Sequence, residues 1–296
     1  MSSSSMKAYS AIFSQMCLAA RQAGVVALAF QGKVANDGKI VAAVTTEESE
    51  LVKVQREAKT QIGELVQEII LLSLREVVDP KKILLDAEED TPLARLFGKG
   101  RGTMSLVIDP IDGTLEYLQG RNDYAVCIGI VDRGRMKLAL VFFPAQDVAY
   151  AIAPDGKSYR YDRFAVEGTK KARVITLPKR AQKVVYKNSR VPEAAVNACS
   201  QSGYQVIDDL EGELFCPNSI LKALDRSSQA YIAHTRQMRD VLLGAIIGNA
   251  RGGFMSDWQG KELRWPEKGR VPQAMFGNKN YKKEISRLLG KSGVEN

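Results

Sequence analysis

Apolar positions fall into two regimes along the chain, and the change comes near residue 180. In the first regime, Ile62, Leu65, Val66, Ile69, Ile70 and Leu72 recur at helical spacing, which predicts a helix over 50–77. The apolar-rich stretch from Ala11 to Phe30 is interrupted by Ser14, Gln15, Arg21, Gln22 and Gly24, and predicts an amphipathic packing helix over 7–30. Between them, 40–45 reads as a strand or turn. Short apolar runs then follow closely, at 82–85, 104–108, 124–131, 137–144, 147–153 and 172–176, each of strand length and bounded by turn residues. Asp132-Arg133-Gly134 and Pro154-Asp155-Gly156 mark hairpin turns. Beyond residue 180 strands and helices alternate: strand 184–186, helix 192–202, strand 204–207, helix 218–225, strand 230–233, helix 240–250, a strand near 252–257 and a helix over 279–289. The prediction is a helix pair with an antiparallel sheet over residues 1–180, then a mixed α/β lobe over 181–296, an α+β to α/β architecture. No repeat or low-complexity linker divides the two, so direct packing and a site at their junction are expected.

Composition adds exclusions. The 296 residues are 45% hydrophobic and 26% charged, the balance of a globular protein. No run approaches the roughly 20 apolar residues that span a bilayer. The first helix lacks the unbroken apolar core and cleavage site of a signal peptide, so a cytoplasmic protein without membrane partners is expected. Cys17, Cys127, Cys199 and Cys216 are scattered and read as reduced core thiols. His234 is the single histidine, which argues against Ser-His-Asp and Cys-His catalysis and against histidine-based zinc sites. Any general base is then a carboxylate or a metal-activated hydroxide. The net charge of +8 admits anionic partners. The basic residues are dispersed and no aromatic-interleaved stripe is present, so a phosphorylated small molecule fits better than nucleic acid.

The strongest chemical signal is Asp109-Pro110-Ile111-Asp112-Gly113-Thr114, directly after the apolar run Ser105–Ile108. Asp109 is expected at a strand end, with a turn forced by Pro110. Asp112 is then presented from a constrained loop, and Gly113 and Thr114 open a short helix whose free N–H groups face the same point. Two carboxylates beside amide donors suit a hard cation and a phosphate. Two further acidic elements accompany it: Glu88-Glu89 after the strand 82–85, and Asp240 at the start of the small-residue helix that ends at Gly252-Gly253.

In these motifs the chain resembles the inositol monophosphatase superfamily of Mg²⁺-dependent, lithium-sensitive phosphatases, which includes 3′(2′),5′-bisphosphate nucleotidases. The Glu-Glu pair, the Asp-Pro-Ile-Asp-Gly-Thr hexapeptide, and an Asp with Gly-Gly twelve and thirteen residues later match at Glu88-Glu89, 109–114 and Asp240 with Gly252 and Gly253. A following Asp-x-x-Gly matches at Asp257–Gly260. The resemblance runs from about residue 10 to 290 and implies a sugar-phosphatase-like αβαβα sandwich and a homodimer. It implies two Mg²⁺ ions: Asp109 bridging, Glu88 and the Ile111 carbonyl at the first, Asp112 and Asp240 at the second. It further implies that Glu88 and Thr114 orient the attacking water, that Asp112, Gly113 and Thr114 receive the phosphate, and that Glu89 is a supporting residue.

Departures from the pattern matter. The usual Trp before the third-motif Asp is Arg239, a guanidinium that pairs with a carboxylate, reaches a substrate anion or faces solvent. The Asp of a third, weaker metal is missing, with Gln55 or Glu57 in its region. Ala233 stands where inositol-acting members carry a Glu, and Ser189-Arg190 matches a short nucleotidase pattern. Inositol-1-phosphate, a 3′,5′-bisphosphate nucleotide and a sugar bisphosphate are the candidate substrates. A non-catalytic relative acting as an interaction protein and a basic nucleic-acid-binding protein are the other classes.

Overall fold

The computed structural model describes residues 3–33, 61–97, 102–209, 216–292 and 294. The predicted element at 40–45, the first part of the second predicted helix, Gln55 and Glu57 lie outside those residues.

Two helices, α1 (Ser3–Phe30) and α2 (Gln61–Leu74), pack together against one face of a sheet. Ala19, Ala20, Ala23 and Ala27 give α1 a small-residue face that lies close on the strands. A Cβ at Gly24 would sit 2.4 Å from the Phe142 ring, so the approach depends on that glycine. By length and composition alone, Met6–Phe30 is apolar enough to cross a bilayer, with a mean hydropathy of 1.3 over its most apolar window. Half of that window is buried inside the protein, the environment of a packing helix.

The sheet has seven strands in chain order: β1 (Leu84–Ala87), β2 (Met104–Asp112), β3 (Ala125–Asp132), β4 (Arg135–Phe143), β5 (Val148–Ile152), β6 (Ser158–Asp162) and β7 (Ala172–Val174). β1 runs parallel to β2 and every other pair is antiparallel. Both faces are covered: Leu138, Leu140 and Phe142 point to the helix pair, while Ala139, Val141 and Phe143 point the other way. This is why the central strands read as continuous apolar runs rather than alternating ones. Arg133 and Gly134 both have positive φ, 51° and 71°, as a two-residue hairpin turn of matching twist requires. Short helices α3 (Thr114–Leu118) and α4 (Phe164–Glu167) interrupt the meander. β6 has no counterpart in the sequence prediction.

The second sheet contains β8 (Val184–Lys187), β9 (Gln205–Asp208), β10 (Ala230–Gln237), β11 (Gly253–Ser256) and β12 (Arg270–Asn278), in the order β11-β12-β10-β8-β9. β12 pairs antiparallel with β10 and β11, whereas β8 runs parallel to β10 and β9. The sequence prediction lacks β12 altogether, although it pairs on both sides within the sheet. Between the two sheets lie α6 (Cys216–Leu221) and α7 (Leu242–Asn249), in one apolar cluster with Val107, Val141, Tyr231 and Phe276. α5 (Glu193–Gln201) and α8 (Lys282–Lys291) pack together on the outer face, over Val185, Ile232 and Met275. The result is the expected αβαβα sandwich.

α7 stops at Gly252-Gly253 for a steric reason. Gly252 adopts φ +84°, and a Cβ on Gly253 would fall 2.2 Å from the Ile247 carbonyl oxygen. The Gly253 N–H instead donates to the Ala250 carbonyl at 2.8 Å and the chain turns into β11.

Candidate active site

The carboxylates come from three local structures. Glu88 follows β1 and is half-buried. The loop that carries it is pinned to α2 by Gln67, which accepts from the Glu89 N–H at 2.9 Å and donates to the Glu89 carbonyl at 2.6 Å. Glu89 is buried.

Asp109 and Asp112 lie on β2, which corrects the expected turn at Pro110: the strand continues through the proline to Asp112. Pairing with β3 shifts between Asp109–Cys127 and Asp112–Ala125, so β2 carries one extra residue there, a bulge. Proline has no N–H for the ladder, and a bulge is one of the few strand positions that accepts it. The Asp109 carboxylate accepts from the Ile111 N–H at 3.1 Å. The Thr114 hydroxyl donates to the Ile111 carbonyl at 3.0 Å and closes the turn into α3, with Gly113 at φ +88°. Asp109 and Asp112 are both buried. Burial pushes the Asp109 carboxyl well above its usual range, and repulsion from Glu88 and Asp112 adds to it. Asp112 is raised in the same way, by burial and then by Asp240.

Asp240 lies near the N-terminus of α7, as expected, two residues before its first residue. It occupies a 3₁₀ turn, Arg239–Val241, between β10 and α7. The Arg236 Nε lies 3.0 Å from its carboxylate. Arg239 points its guanidinium at Asp86, 3.6 Å away, and Asp86 also accepts the Gly269 N–H at 2.8 Å. Neither Arg236 nor Asp86 was singled out in the sequence. A charged residue within the run 83–87, and an Arg three positions before another Arg at the third acidic motif, were the available signals.

The remaining candidates separate from this centre. Ser189 is exposed in the turn after β8, and its neighbours Asn188 and Arg190 hydrogen-bond to His234 and Thr235. Ala233 is fully buried in the core between the sheets and offers no polar group. Asp257 receives the Lys261 N–H at 2.7 Å and shapes the turn that contains Gly260 at φ +79°.

Among the described residues, no three His, Cys, Asp or Glu side chains close into a ready-made metal cage. The donor chemistry nevertheless fits a hard cation: carboxylates and one carbonyl, several of them buried and mutually repelling. Two guanidinium groups stand among them.

A buried network supports Asp240 from behind. The Cys216 thiol reaches the Asp240 carbonyl at 3.2 Å and the Tyr231 hydroxyl at 3.3 Å, and Tyr231 donates to Asp209 at 2.9 Å. Burial lifts the Asp209 carboxyl to about 6, against the attraction of Arg236. A carboxyl raised in the fold stabilises the protein fully below its unfolded value of 3.8, and that contribution is lost as the pH rises through about 6. A shift of about two units corresponds to about 3 kcal/mol. Asp209→Asn removes this dependence while leaving an acceptor for Tyr231. Relative to the parent, the variant is therefore expected to gain stability between pH 4 and pH 7 in thermal melts. A stability difference that stays flat over that interval would count against a raised Asp209.

A layered αβαβα sandwich built on these two sheets is the sugar-phosphatase-like fold. The chain belongs to the inositol monophosphatase family, whose sequence pattern matches residues 14–292. It is 25% identical over 181 residues to the 3′(2′),5′-bisphosphate nucleotidase CysQ of Escherichia coli (strain K12), covering 60% of this chain and 67% of that one. The fold matches the extragenic suppressor protein suhB from Bartonella henselae with a TM-score of 0.66 at 17% identity, covering 96% of this chain and all of that one. CysQ from Bacteroides thetaiotaomicron, a bacterial member of the same family, matches with a TM-score of 0.60 at 16% identity over 92% of this chain and 98% of that one.

Proposed function

We propose that this protein is a Mg²⁺-dependent phosphomonoesterase that hydrolyses a small phosphorylated substrate, with a phosphorylated polyol such as inositol-1-phosphate as the leading class. The observation that carries this reading is the buried pair Asp109 and Asp112, each driven toward neutrality by burial and by the surrounding carboxylates. Such a concentration of negative charge is costly unless a cation compensates it. Glu88, Asp109, Asp112, Asp240 and the Ile111 carbonyl would hold Mg²⁺. When bound, Mg²⁺ supplies positive charge that acidifies water and stabilises the departing alkoxide.

The chain's own residues do the rest. Glu88 orients the attacking water together with the Thr114 hydroxyl and draws off its proton. The water oxygen bonds to phosphorus, the ester P–O bond breaks, and the alkoxide leaves and takes up a proton. The Gly113 and Thr114 amides hold the phosphate oxygens as charge develops on them. Glu88→Gln is expected to lower kcat by about a hundredfold or more with KM little changed, because the interaction strengthens in the transition state. A change confined to KM would make Glu88 a substrate-binding group instead. Lithium sensitivity and a homodimer belong to the same reading.

A 3′(2′),5′-bisphosphate nucleotidase is the second reading. The similarity to CysQ favours it, as does the guanidinium of Arg239 beside the carboxylates. A phosphate-release panel distinguishes the two: modest turnover of inositol-1-phosphate is expected, with at least one doubly phosphorylated compound matching or exceeding it in kcat/KM. Exclusive turnover of inositol-1-phosphate would remove the second reading. No release from any compound with Mg²⁺ present would favour a non-catalytic family member.

A further inference from the structure

β10 contains a reversal that the reaction leaves unused. Along the strand the side chains alternate: Tyr231 and Ala233 face the core between the sheets, while Ala230 and Ile232 face the outer helices. His234 keeps the pattern, with its ring 5.4 Å from Trp258 in the outer layer. Arg236 is next in line for that side, yet its Nε lies 3.0 Å from the Asp240 carboxylate. Cys216, which bonds both the Asp240 carbonyl and Tyr231, belongs to the inner core. The break falls at Thr235, whose φ of 49° is a left-handed conformation that strains a β-branched residue. Register with β12 is unbroken across it, and Pro272 stands opposite, bringing no N–H to the ladder. The Thr235 carbonyl accepts instead from Arg190 at 3.0 Å and from Arg270 at 3.4 Å. Asn188 holds the residue before it, accepting the His234 N–H at 2.9 Å and donating to the His234 carbonyl at 3.0 Å.

We propose that this clamped turn aims Arg236 into the active site as the receptor for a second phosphate, so that the substrate is doubly phosphorylated. The inference rests on the phosphomonoesterase reading and chooses among its substrates. The Arg236 side chain is 27% exposed, part of it against Asp240 and part open. Asp240 meets the guanidinium through Nε, and the group pairs with no other carboxylate among the described residues. A guanidinium carries five N–H donors in a planar fork that matches phosphate oxygens, so donors remain for an anion. Its contact with Asp240 puts Arg236 one side chain away from the expected cations. That is within reach of the part of a substrate that lies beyond the reacting phosphate.

The test compares kcat/KM within two matched pairs at saturating Mg²⁺: adenosine 3′,5′-bisphosphate against adenosine 3′-monophosphate, and fructose 1,6-bisphosphate against fructose 1-phosphate. Members of a pair differ only in the second phosphate, and the pair that responds distinguishes a nucleotide from a sugar. The parent is expected to prefer the bisphosphate of one pair by about tenfold or more, the worth of hydrogen bonds to a charged group. In Arg236→Gln that preference is expected to fall by about tenfold, through KM, with kcat changing alike for both members. Arg236→Lys keeps the charge without the fork and is expected to lie between the two. Arg190→Gln leaves Arg236 in place but frees the Thr235 carbonyl, and is expected to lower the preference in the same direction. It carries the test if Arg236→Gln does not fold. Equal losses on both members of each pair would overturn the inference, since Arg236 would then only support Asp240. A parent that prefers neither bisphosphate, or a preference unchanged in the variants, would overturn it too, and each of these results leaves the phosphatase reading standing. No phosphate release from these compounds or from inositol-1-phosphate would overturn both.

Discussion

Asp109→Asn is expected to cut phosphate release by about a thousandfold or more while making the metal-free protein more stable. The two effects have one cause. In the fold, burial, Glu88 and Asp112 all oppose the charge on Asp109, so its ionised form persists at neutral pH only at the expense of stability. Asparagine has nearly the same shape and can still accept the Ile111 N–H that Asp109 accepts at 3.1 Å. It removes the repulsion, and with it the anion that would hold the cation and share it with substrate. A thousandfold loss corresponds to about 4 kcal/mol in the barrier, within what lost electrostatic stabilisation of a transition state supplies. Phosphate release and thermal melting in chelator, measured on the same preparation, check both halves. Near-parental turnover would sink the assignment of Asp109, and lower stability in chelator would show that its buried charge is compensated by the protein itself.

Gly253→Ala is expected to be strongly damaging, at the far end of the helix that follows the Asp240 turn. Its Cβ would lie 2.2 Å from the Ile247 carbonyl oxygen and 2.9 and 3.0 Å from those of Gly248 and Ala250, all backbone atoms that cannot rotate away. Overpacking of this kind costs about 3 kcal/mol or more, or a fall of about 6–10 °C in Tm for a chain of this size. Activity should fall with it, because α7 and the Asp240 turn are continuous. Gly156→Ala is the control: Gly156 has φ +78° with nothing within 4 Å, so only left-handed strain of about 1 kcal/mol is added. Equal melting temperatures for the two variants would mean that the α7–β11 junction is free to relax.

Much of the first layer was legible because its information is local. The hairpin turns, the central strands of the first sheet and the helical stripe of α2 each carry their signal within a dozen residues. The bulge in β2 was half legible: Pro110 announces that the ladder is disturbed, but whether the chain turns away or absorbs the residue depends on β3. β6, Ser158–Asp162, reads as polar because Ser158, Arg160 and Asp162 break its apolar pattern, although Tyr161 packs into the core. β12 was hidden by Pro272, Gln273, Gly277 and Asn278, residues that argue against a strand. Gly277 is there because Gln229 and Ala230 leave no room for a side chain, a long-range reason that no local pattern contains. The acidic motifs were legible as chemistry. What the sequence could not show was that Arg236 and Arg239 would be drawn among them, since that depends on how the β10–α7 connection meets β1 and β2.

The two sheets also differ in when they can form. Each strand of the first is hydrogen-bonded to its neighbour in the chain, so the sheet can grow strand by strand during synthesis. The second cannot, because β12 joins β10 to β11 and is made only after both. Until Arg270–Asn278 has emerged, two strand edges stay open to unwanted pairing. Asp109 therefore sits on a finished platform while Asp240 waits for its own. A ribosome stalled before residue 270 would hold a half-built phosphatase, with its aspartate pair already in place and nothing opposite it.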